Sequence, residues 1–127
     1  MSTSDNSIVI QSDSIELQDV KVGVDTQMQV LIGPPSAPNF AMRRFIMQPG
    51  GGMPKHTNEV EHEQFVLQGQ AKIEIGDKVH QVKRGDILYI PKGVPHSYLA
   101  EGTEPFEFLC VVPNLPDKIK IVESNEC

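Results

Sequence analysis

Residues 50–69, with the sequence GGGMPKHTNEVEHEQFVLQG, are the most informative segment of this chain. They set two histidines, His56 and His62, between glycines at the spacing Gly-x5-His-x5-His-x6-Gly. A second segment, GDILYIPKGVPH at residues 85–96, ends on His96. Imidazole is the commonest protein ligand for transition metals, and rigid strand ends can bring three of them together. The two segments therefore predict a metal site with coordination positions left open.

The size and charge of the chain limit what else it can be. Its 127 residues fit one domain, residues 1–127, with a barrel over about residues 27–112. The net charge of −6 argues against nucleic-acid binding, which depends on clustered Lys and Arg. No stretch approaches the roughly 20 apolar residues that cross a bilayer, and the first residues lack the pattern of a signal peptide. We expect a cytoplasmic protein with no nucleic-acid or membrane partner.

Proline and glycine recur at short intervals, which is typical of an all-β sandwich or barrel. Eight strands are expected at Gln27–Ile32, Phe40–Met47, Gln64–Gln68, Ala71–Ile75, Val79–Val82, Asp86–Ile90, His96–Ala100 and Phe106–Val112. Between two of them, Gly76 is expected in a tight hairpin turn, because glycine tolerates the positive φ that such turns need. The predicted fold class is all-β.

One predicted strand has an unusual distribution of apolar residues. In Ala71–Ile75 apolar and charged residues alternate, so one face should be buried and the other solvated. Phe65, Val66 and Leu67 do not alternate, and a strand that is apolar on both sides is usually covered on both faces. One barrel covers only one of these faces. We therefore expect a homodimer in which a partner subunit covers the other.

Both motif segments resemble those of the cupin family, and the match extends over about residues 40–112. Within that family the chain is most similar to small single-domain cupins that hold manganese or a similar divalent ion with four histidines. The stretches that carry this closer resemblance are VLIG at 30–33, APNF at 37–40, EHEQFVL at 61–67 and EFLC at 107–110. The resemblance implies a double-stranded β-helix, that is, a cupin jelly-roll barrel, which is usually dimeric and holds its metal inside one mouth.

The same resemblance implies the ligands of one divalent transition metal. They are His56, His62 and His96, with Asn58 where the family has its second histidine. Asn58 could be a weak fourth ligand, could hydrogen-bond a metal-bound water, or could mark a weakened site. A second register would use Glu63 in place of His62, although the spacing to the following glycine favours His62. Manganese or iron is the expected metal, and nickel and zinc are the alternatives.

Four further side chains are expected to line a pocket for a small-molecule ligand or substrate. Gln64 and Tyr98 each follow a site histidine by two positions and therefore share its face. In the last long strand the charged Glu107 should face outward, which sends Phe108 and Cys110 inward. Cys110 is either a small buried hydrophobe or, as the resemblance implies, a redox-sensitive thiol near the metal.

Two adjacent arginines, Arg43 and Arg44, lie on one predicted strand and must face opposite ways. One of them could therefore enter the barrel and bind a carboxylate. The strand pattern alone does not say which.

Three functions are compatible with such a site. The first is a metal-dependent oxidoreductase, resembling the three-histidine cupin dioxygenases, in which a small organic substrate and dioxygen take adjacent open positions. The second is metal-assisted isomerase or lyase chemistry on a sugar or keto acid. The third is a non-catalytic barrel that holds a small ligand. Whether the chain is an enzyme stays open at this point, because fold alone does not determine function.

Overall fold

The computed structural model describes residues 6–122, so the first and last five residues of the expected single domain lie outside that range. A short 3-10 helix, Ser12–Ser14, precedes ten β-strands. Within residues 6–122 there is no helix long and apolar enough to cross a membrane. The strands are β1 Gln18–Asp19, β2 Val24–Ile32, β3 Phe40–Thr57, β4 His62–Gln68, β5 Gln70–Ile75, β6 Lys78–Lys83, β7 Ile87–Ile90, β8 His96–Glu101, β9 Phe106–Pro113 and β10 Lys120–Ile121.

The architecture is organised by β3, which is 18 residues long and belongs to both sides of the barrel. Its first part pairs antiparallel with β2 and β9, and its second part pairs antiparallel with β8 and β10. Seven strands follow one another in the order β6-β5-β8-β3-β9-β4-β7, while β2 and β10 also pair with β3, and β1 pairs with β2. Because one long strand serves both halves, the sheet curls on itself into the jelly-roll barrel that the family resemblance implies.

A close approach of two backbones explains the glycines that precede the first site histidine. Gly52 pairs with Leu99 across β3 and β8. A Cβ at position 52 would collide with the backbone carbonyl of Tyr98, so only glycine lets the two strands come this close. Further along the same pair of strands, His56 is the register partner of His96. The glycine run therefore helps to position the site.

The alternation predicted for two strands is confirmed. In β5, Ala71 and Ile73 are fully buried, while Lys72 between them is exposed. The turn that follows β5 contains Gly76 with φ at 62°, the positive value expected there. In β9 the buried residues are Phe106, Phe108, Cys110 and Val112. These side chains form the core of the barrel together with the inward residues of β3, β4 and β8.

Two features differ from the expected strands. β3 continues beyond Met47, through the glycines, to Thr57; glycine is a poor strand former, so the pattern favoured an earlier end. The strands β1 and β10 were not expected at all. Each has two residues, both exposed, and so carries no alternating apolar pattern that sequence could reveal.

Candidate metal and ligand site

The barrel encloses a cavity of about 190 Å³ that gathers the expected site residues. Its lining consists of Asp19, Val20, Met28, Arg43, Phe45, Met47, Met53, His56, Asn58, His62, Gln64, His96, Tyr98, Phe108 and Ile119. Seven of the eight side chains singled out from the sequence are in this set. The eighth, Cys110, is fully buried and touches the lining from behind.

The three site histidines stand at strand ends that meet at this cavity. His56 lies near the end of β3, His62 begins β4 and His96 begins β8, and all three are buried. The ring centroids of His56 and His96 are 4.2 Å apart, and those of His62 and His96 are 5.7 Å apart. Glu63, by contrast, is exposed on the other face of β4. The arrangement therefore favours the register that uses His62.

Backbone contacts decide which ring nitrogen is free in two of the histidines. Nδ1 of His56 donates to the carbonyl of Pro54 at 2.8 Å, and Nδ1 of His96 donates to the carbonyl of Val94 at 2.9 Å. A carbonyl only accepts, so Nε2 of each neutral ring keeps its lone pair. The Nε2 atoms of His62 and His96 are buried and have no hydrogen-bond partner within residues 6–122. Unpartnered nitrogens of this kind are suited to bind a metal ion.

Burial keeps the three rings neutral. It lowers the pKa of His62 to about 4, with a smaller contribution from the Arg43 guanidinium, and it lowers the pKa of His96 to about 4. Burial also lowers the pKa of His56. At pH 7 the histidines are therefore in the protonation state that metal binding requires.

Asn58 is oriented by an aspartate from the other end of the chain. Its Nδ2 donates to Oδ2 of Asp117 at 3.0 Å, while the backbone N–H groups of Glu59 and Lys118 donate to Oδ1 of the same carboxylate. A carboxylate only accepts, so Asn58 must turn its NH2 group towards Asp117 and its Oδ1 away. That Oδ1 is buried, and no described residue donates to it. Asp117 thus fixes the orientation in which Asn58 presents an oxygen.

Aromatic rings form another part of the cavity wall. Phe108 is stacked on Phe45 at a centroid distance of 5.1 Å and on Tyr98 at 5.3 Å. Gln64 Nε2 donates to the Tyr98 hydroxyl at 2.8 Å, which leaves the hydroxyl hydrogen available to another acceptor. Burial raises the pKa of Tyr98, so this phenol stays protonated at neutral pH.

Cys110 lies behind the wall, in contact with three nitrogen atoms. Its Sγ is 3.3 Å from Nδ1 of His62, 3.5 Å from Nε2 of Gln64 and 3.6 Å from Nη2 of Arg43. Burial raises the pKa of the thiol. Cys110 is therefore a small buried side chain behind the cavity wall, in contact with one of the candidate ligands.

The sequence profile of the family described as "Cupin domain" matches residues 43–112, which is more than half of the chain. The chain belongs to the cupin family. A segment of 72 residues is 32% identical to mannose-1-phosphate guanylyltransferase 2 from Escherichia coli O157:H7, and the match covers 55% of this cupin but only 15% of that protein. The cupin therefore spans a small part of the length of this curated relative.

Two solved structures are similar over most of the cupin. The polyketide cyclase RemF from Streptomyces resistomycificus is 27% identical, with a TM-score of 0.85, and the match covers 94% of this chain and 88% of RemF. A cupin 2 domain-containing protein from Halorhodospira halophila is 30% identical, with a TM-score of 0.73, over 79% of this chain and 72% of that one. Both likenesses support the jelly-roll fold.

The donor atoms around the cavity are of the types that divalent transition metals take, although they are not grouped as a metal site. Among residues 6–122, no three His, Cys, Asp or Glu side chains are grouped closely enough to hold an ion. Three neutral imidazoles and the Asn58 amide nevertheless line one cavity, and imidazole nitrogens with an amide oxygen suit manganese, iron, nickel or zinc.

The structure decides which of the two arginines enters the barrel. Arg43 lines the cavity, with its guanidinium carbon 5.2 Å from the centroid of the Phe45 ring. Arg44 lies on the opposite face of β3 and forms an ion pair with Glu107. Glu107 therefore faces away from the cavity, as expected from the sequence.

Residues outside the two motifs also contribute to the site. Asp117 and Ile119 follow β9, in a segment without regular apolar spacing, and sequence reasoning missed both. Met53 precedes the first site histidine on β3 and lines the cavity, again without a signal that separates it from a core residue. The fourth histidine, His80, is exposed on β6, in line with its position outside the motifs.

Proposed function

We propose that this cupin binds one divalent transition metal through His56, His62 and His96, with Asn58 at or beside the fourth position. The observation that carries the proposal is the set of buried, unpartnered atoms: Nε2 of His62, Nε2 of His96 and Oδ1 of Asn58, among the residues described. Leaving such groups without a partner costs on the order of 1–3 kcal/mol each, which binding a cation would offset. Manganese or iron is the first expectation, and nickel and zinc are the alternatives.

The chemistry that this cavity supports best is metal-assisted reaction of a carbonyl compound. A bound divalent ion would polarise a carbonyl and stabilise the negative charge that develops on its oxygen. Tyr98 would donate its hydroxyl hydrogen to a substrate oxygen, since Gln64 already donates to the phenol oxygen. Phe45 and Phe108 would shield the reacting atoms from water. The similarity to the polyketide cyclase RemF supports a small molecule with several carbonyl groups as substrate.

The second candidate is the dioxygenase-like oxidoreductase expected from the sequence. Three imidazoles and one weak amide donor leave exchangeable coordination positions, which dioxygen and an organic substrate could share. The same cavity could also hold a small ligand without turnover. Oxygen dependence separates these alternatives, because carbonyl chemistry of the cyclase, isomerase or lyase type consumes no oxygen.

Metal content is the first test. Untagged protein is analysed by inductively coupled plasma mass spectrometry after reconstitution with manganese or iron, beside the His62→Ala and His80→Ala variants. We expect close to one metal per chain in the wild type and in His80→Ala, and almost none in His62→Ala. Equal metal content in the two variants would place the metal elsewhere, and no metal in the wild type would contradict the proposal.

The reaction class is tested with 2,4-pentanedione, a small dicarbonyl probe. Loss of the probe is followed by absorbance under air and under argon, together with oxygen uptake. Turnover that continues under argon supports metal-assisted carbonyl chemistry, whereas turnover that stops with matched oxygen uptake supports the dioxygenase. Binding without turnover in either atmosphere favours the ligand-holding barrel.

We further propose that the cupin is a homodimer. On the outer face of β4 and β7, Phe65 is 46% exposed, Ile87 78% and Tyr89 55%, and Phe65 is the register partner of Ile87. An apolar patch of this kind is typical of a subunit interface. Light scattering should give twice the chain mass at micromolar concentration, and Ile87→Lys should shift the population to monomer. A monomer mass for the wild type would overturn this proposal.

A further inference from the structure

We infer that Arg43 forms an anion subsite, which selects small molecules that carry a carboxylate or an enolate oxygen. This inference names the substrate class of the cavity for which metal-assisted chemistry is proposed above. It does not depend on the metal, because it rests on the guanidinium group alone.

The contacts of Arg43 leave much of its guanidinium without a proper acceptor. Its Nε is buried and has no hydrogen-bond partner in the described part of the chain. Its Nη2 reaches only the sulfur of Cys110, at 3.6 Å, and sulfur is a weak acceptor. The ring of Phe45 supports the guanidinium from one side but accepts no conventional hydrogen bond. Part of the Arg43 guanidinium therefore lacks a hydrogen-bond acceptor within the described part of the chain, and its side chain lines the cavity.

The positive charge of Arg43 is also uncompensated. The two ion pairs formed by residues 6–122 join Arg44 to Glu107 and Lys55 to Glu74, so Arg43 belongs to neither. Asp19 is the only carboxylate among the cavity-lining residues, and it is exposed and accepts a hydrogen bond from Gln27 instead. Arginine stays protonated at any ordinary pH, and a partly buried charge without a partner is unfavourable. An anion in the cavity would supply the missing partner.

The position of Arg43 is suited to a molecule that also reaches the histidines. Cys110 Sγ lies 3.6 Å from Nη2 of Arg43 and 3.3 Å from Nδ1 of His62, so the two side chains flank one sulfur atom. Both line the same cavity. A small molecule with its anionic group on Arg43 would therefore extend towards the histidines. The planar guanidinium fork matches a carboxylate through two parallel hydrogen bonds.

The subsite is tested with benzoate and its neutral analogue benzamide. Binding is measured by isothermal titration calorimetry on protein dialysed against chelator and on protein reconstituted with metal. The variants are Arg43→Gln, Arg43→Lys and, as the matched control on the outer face, Arg44→Gln, each checked for folding by circular dichroism. The chelated sample isolates the contribution of Arg43 from that of any metal.

We expect the chelated wild type to prefer benzoate over benzamide. Arg43→Gln should weaken benzoate binding by about tenfold or more, which is typical of a charged hydrogen bond, and should leave benzamide binding unchanged. Arg44→Gln should bind like the wild type. If Arg43→Gln does not fold, Arg43→Lys should retain the preference for benzoate with lower affinity, because the charge remains and the fork is lost.

Three results would overturn the inference. They are equal affinity for the two probes, a benzoate preference that survives in Arg43→Gln, and no benzoate binding by chelated wild type. A benzoate preference that depends entirely on added metal would assign the anion to the metal and not to Arg43, while the metal proposal would stand. If the protein binds no metal but still prefers benzoate, the metal proposal would fail and the anion subsite at Arg43 would be retained.

Discussion

The inner and outer faces of the β3–β9 pair differ in whether their arginine side chains have a charged partner. On the outer face, Arg44 is neutralised by Glu107. On the inner face, one residue away along β3, Arg43 has no carboxylate partner among the described residues. The histidines differ in a comparable way, since His80 on the terminal strand β6 is exposed to water, while the Nε2 of His62 is buried without a partner among the described residues.

This difference indicates where a ligand belongs. Folding alone would favour pairing every buried polar group, because an unpaired one costs about as much as a lost hydrogen bond. On the outer face of the β3–β9 pair, Arg44 is paired with Glu107, a residue of the same pair of strands. The inner face pairs its buried polar groups only in part, and its unpaired donors and acceptors line one small cavity. These unmet interactions are the observation on which the proposed ligand site rests.

The largest expected effect is a difference in stability between substitutions of an inward-facing and an outward-facing phenylalanine. Phe108→Ala should destabilise the protein by about 3–5 kcal/mol, because Phe108 is buried between other aromatic rings and its removal leaves a void. Phe65→Ala, at a residue that is 46% exposed, should cost roughly 1 kcal/mol in the monomer. Urea unfolding measures both. Equal losses at low protein concentration would remove the contrast between the faces.

Acid should destabilise the protein through its buried histidines. The folded pKa of His62, about 4, lies below the ordinary value of 6.5, so the unfolded chain binds the extra proton first as pH falls. The stability that neutral His62 contributes is fully present above pH 6.5 and is lost as pH falls from about 6.5 to about 4. At pH 5 the loss should be on the order of 2 kcal/mol for this histidine in chelated protein.

Urea midpoints at pH 7 and pH 5 test this expectation. His62→Gln should lose less stability on acidification than the wild type. A His62→Gln variant with unchanged acid sensitivity would show that His62 is not the group protected from protonation.

The sequence predicts the barrel well because its strands carry local signals. Eight strands could be recognised from alternation and from the turn residues between them, and the burial of Phe108 and Cys110 followed from the outward position of Glu107. The histidines could be placed together because motif spacing and strand parity both apply to them. The alternation of side chains along a strand does not show which distant strands pair with each other. Only the register of Arg43 with Cys110 shows which arginine is inside.

Asp117 illustrates a second limit of the sequence. It reaches Asn58 across 59 positions, from a segment with no periodic pattern. Its role depends on a fold that brings the segment after β9 back to the end of β3, where β10 pairs with His56 and Thr57. Such a contact has no local sequence signal. From the sequence alone, Asp117 would therefore be interpreted as a solvated surface residue.

A smaller effect is expected at this rim of the cavity. Asp117→Asn would set an NH2 group against the NH2 of Asn58, so Asn58 would turn its oxygen away from the cavity or lose its partner. Metal affinity should fall by about tenfold, as is common when a residue that orients a ligand is changed. Competition with a metal-sensitive dye measures the affinity, and Glu59→Gln, at an exposed side chain, is the control. Unchanged affinity would mean that the orientation of Asn58 does not matter to the ion.

The smallest effect concerns the two arginines themselves. Arg44→Gln removes a partly exposed ion pair with Glu107 and should destabilise the protein by no more than about 1 kcal/mol. Arg43→Gln removes a charge that has no partner in the described chain, so it should be neutral or slightly stabilising in the absence of ligand. Thermal unfolding of the two variants in chelated protein measures the difference in sign. Destabilisation by Arg43→Gln larger than that by Arg44→Gln would mean that Arg43 supports the fold, and the contrast between the faces would then be one of packing and not of ligand binding.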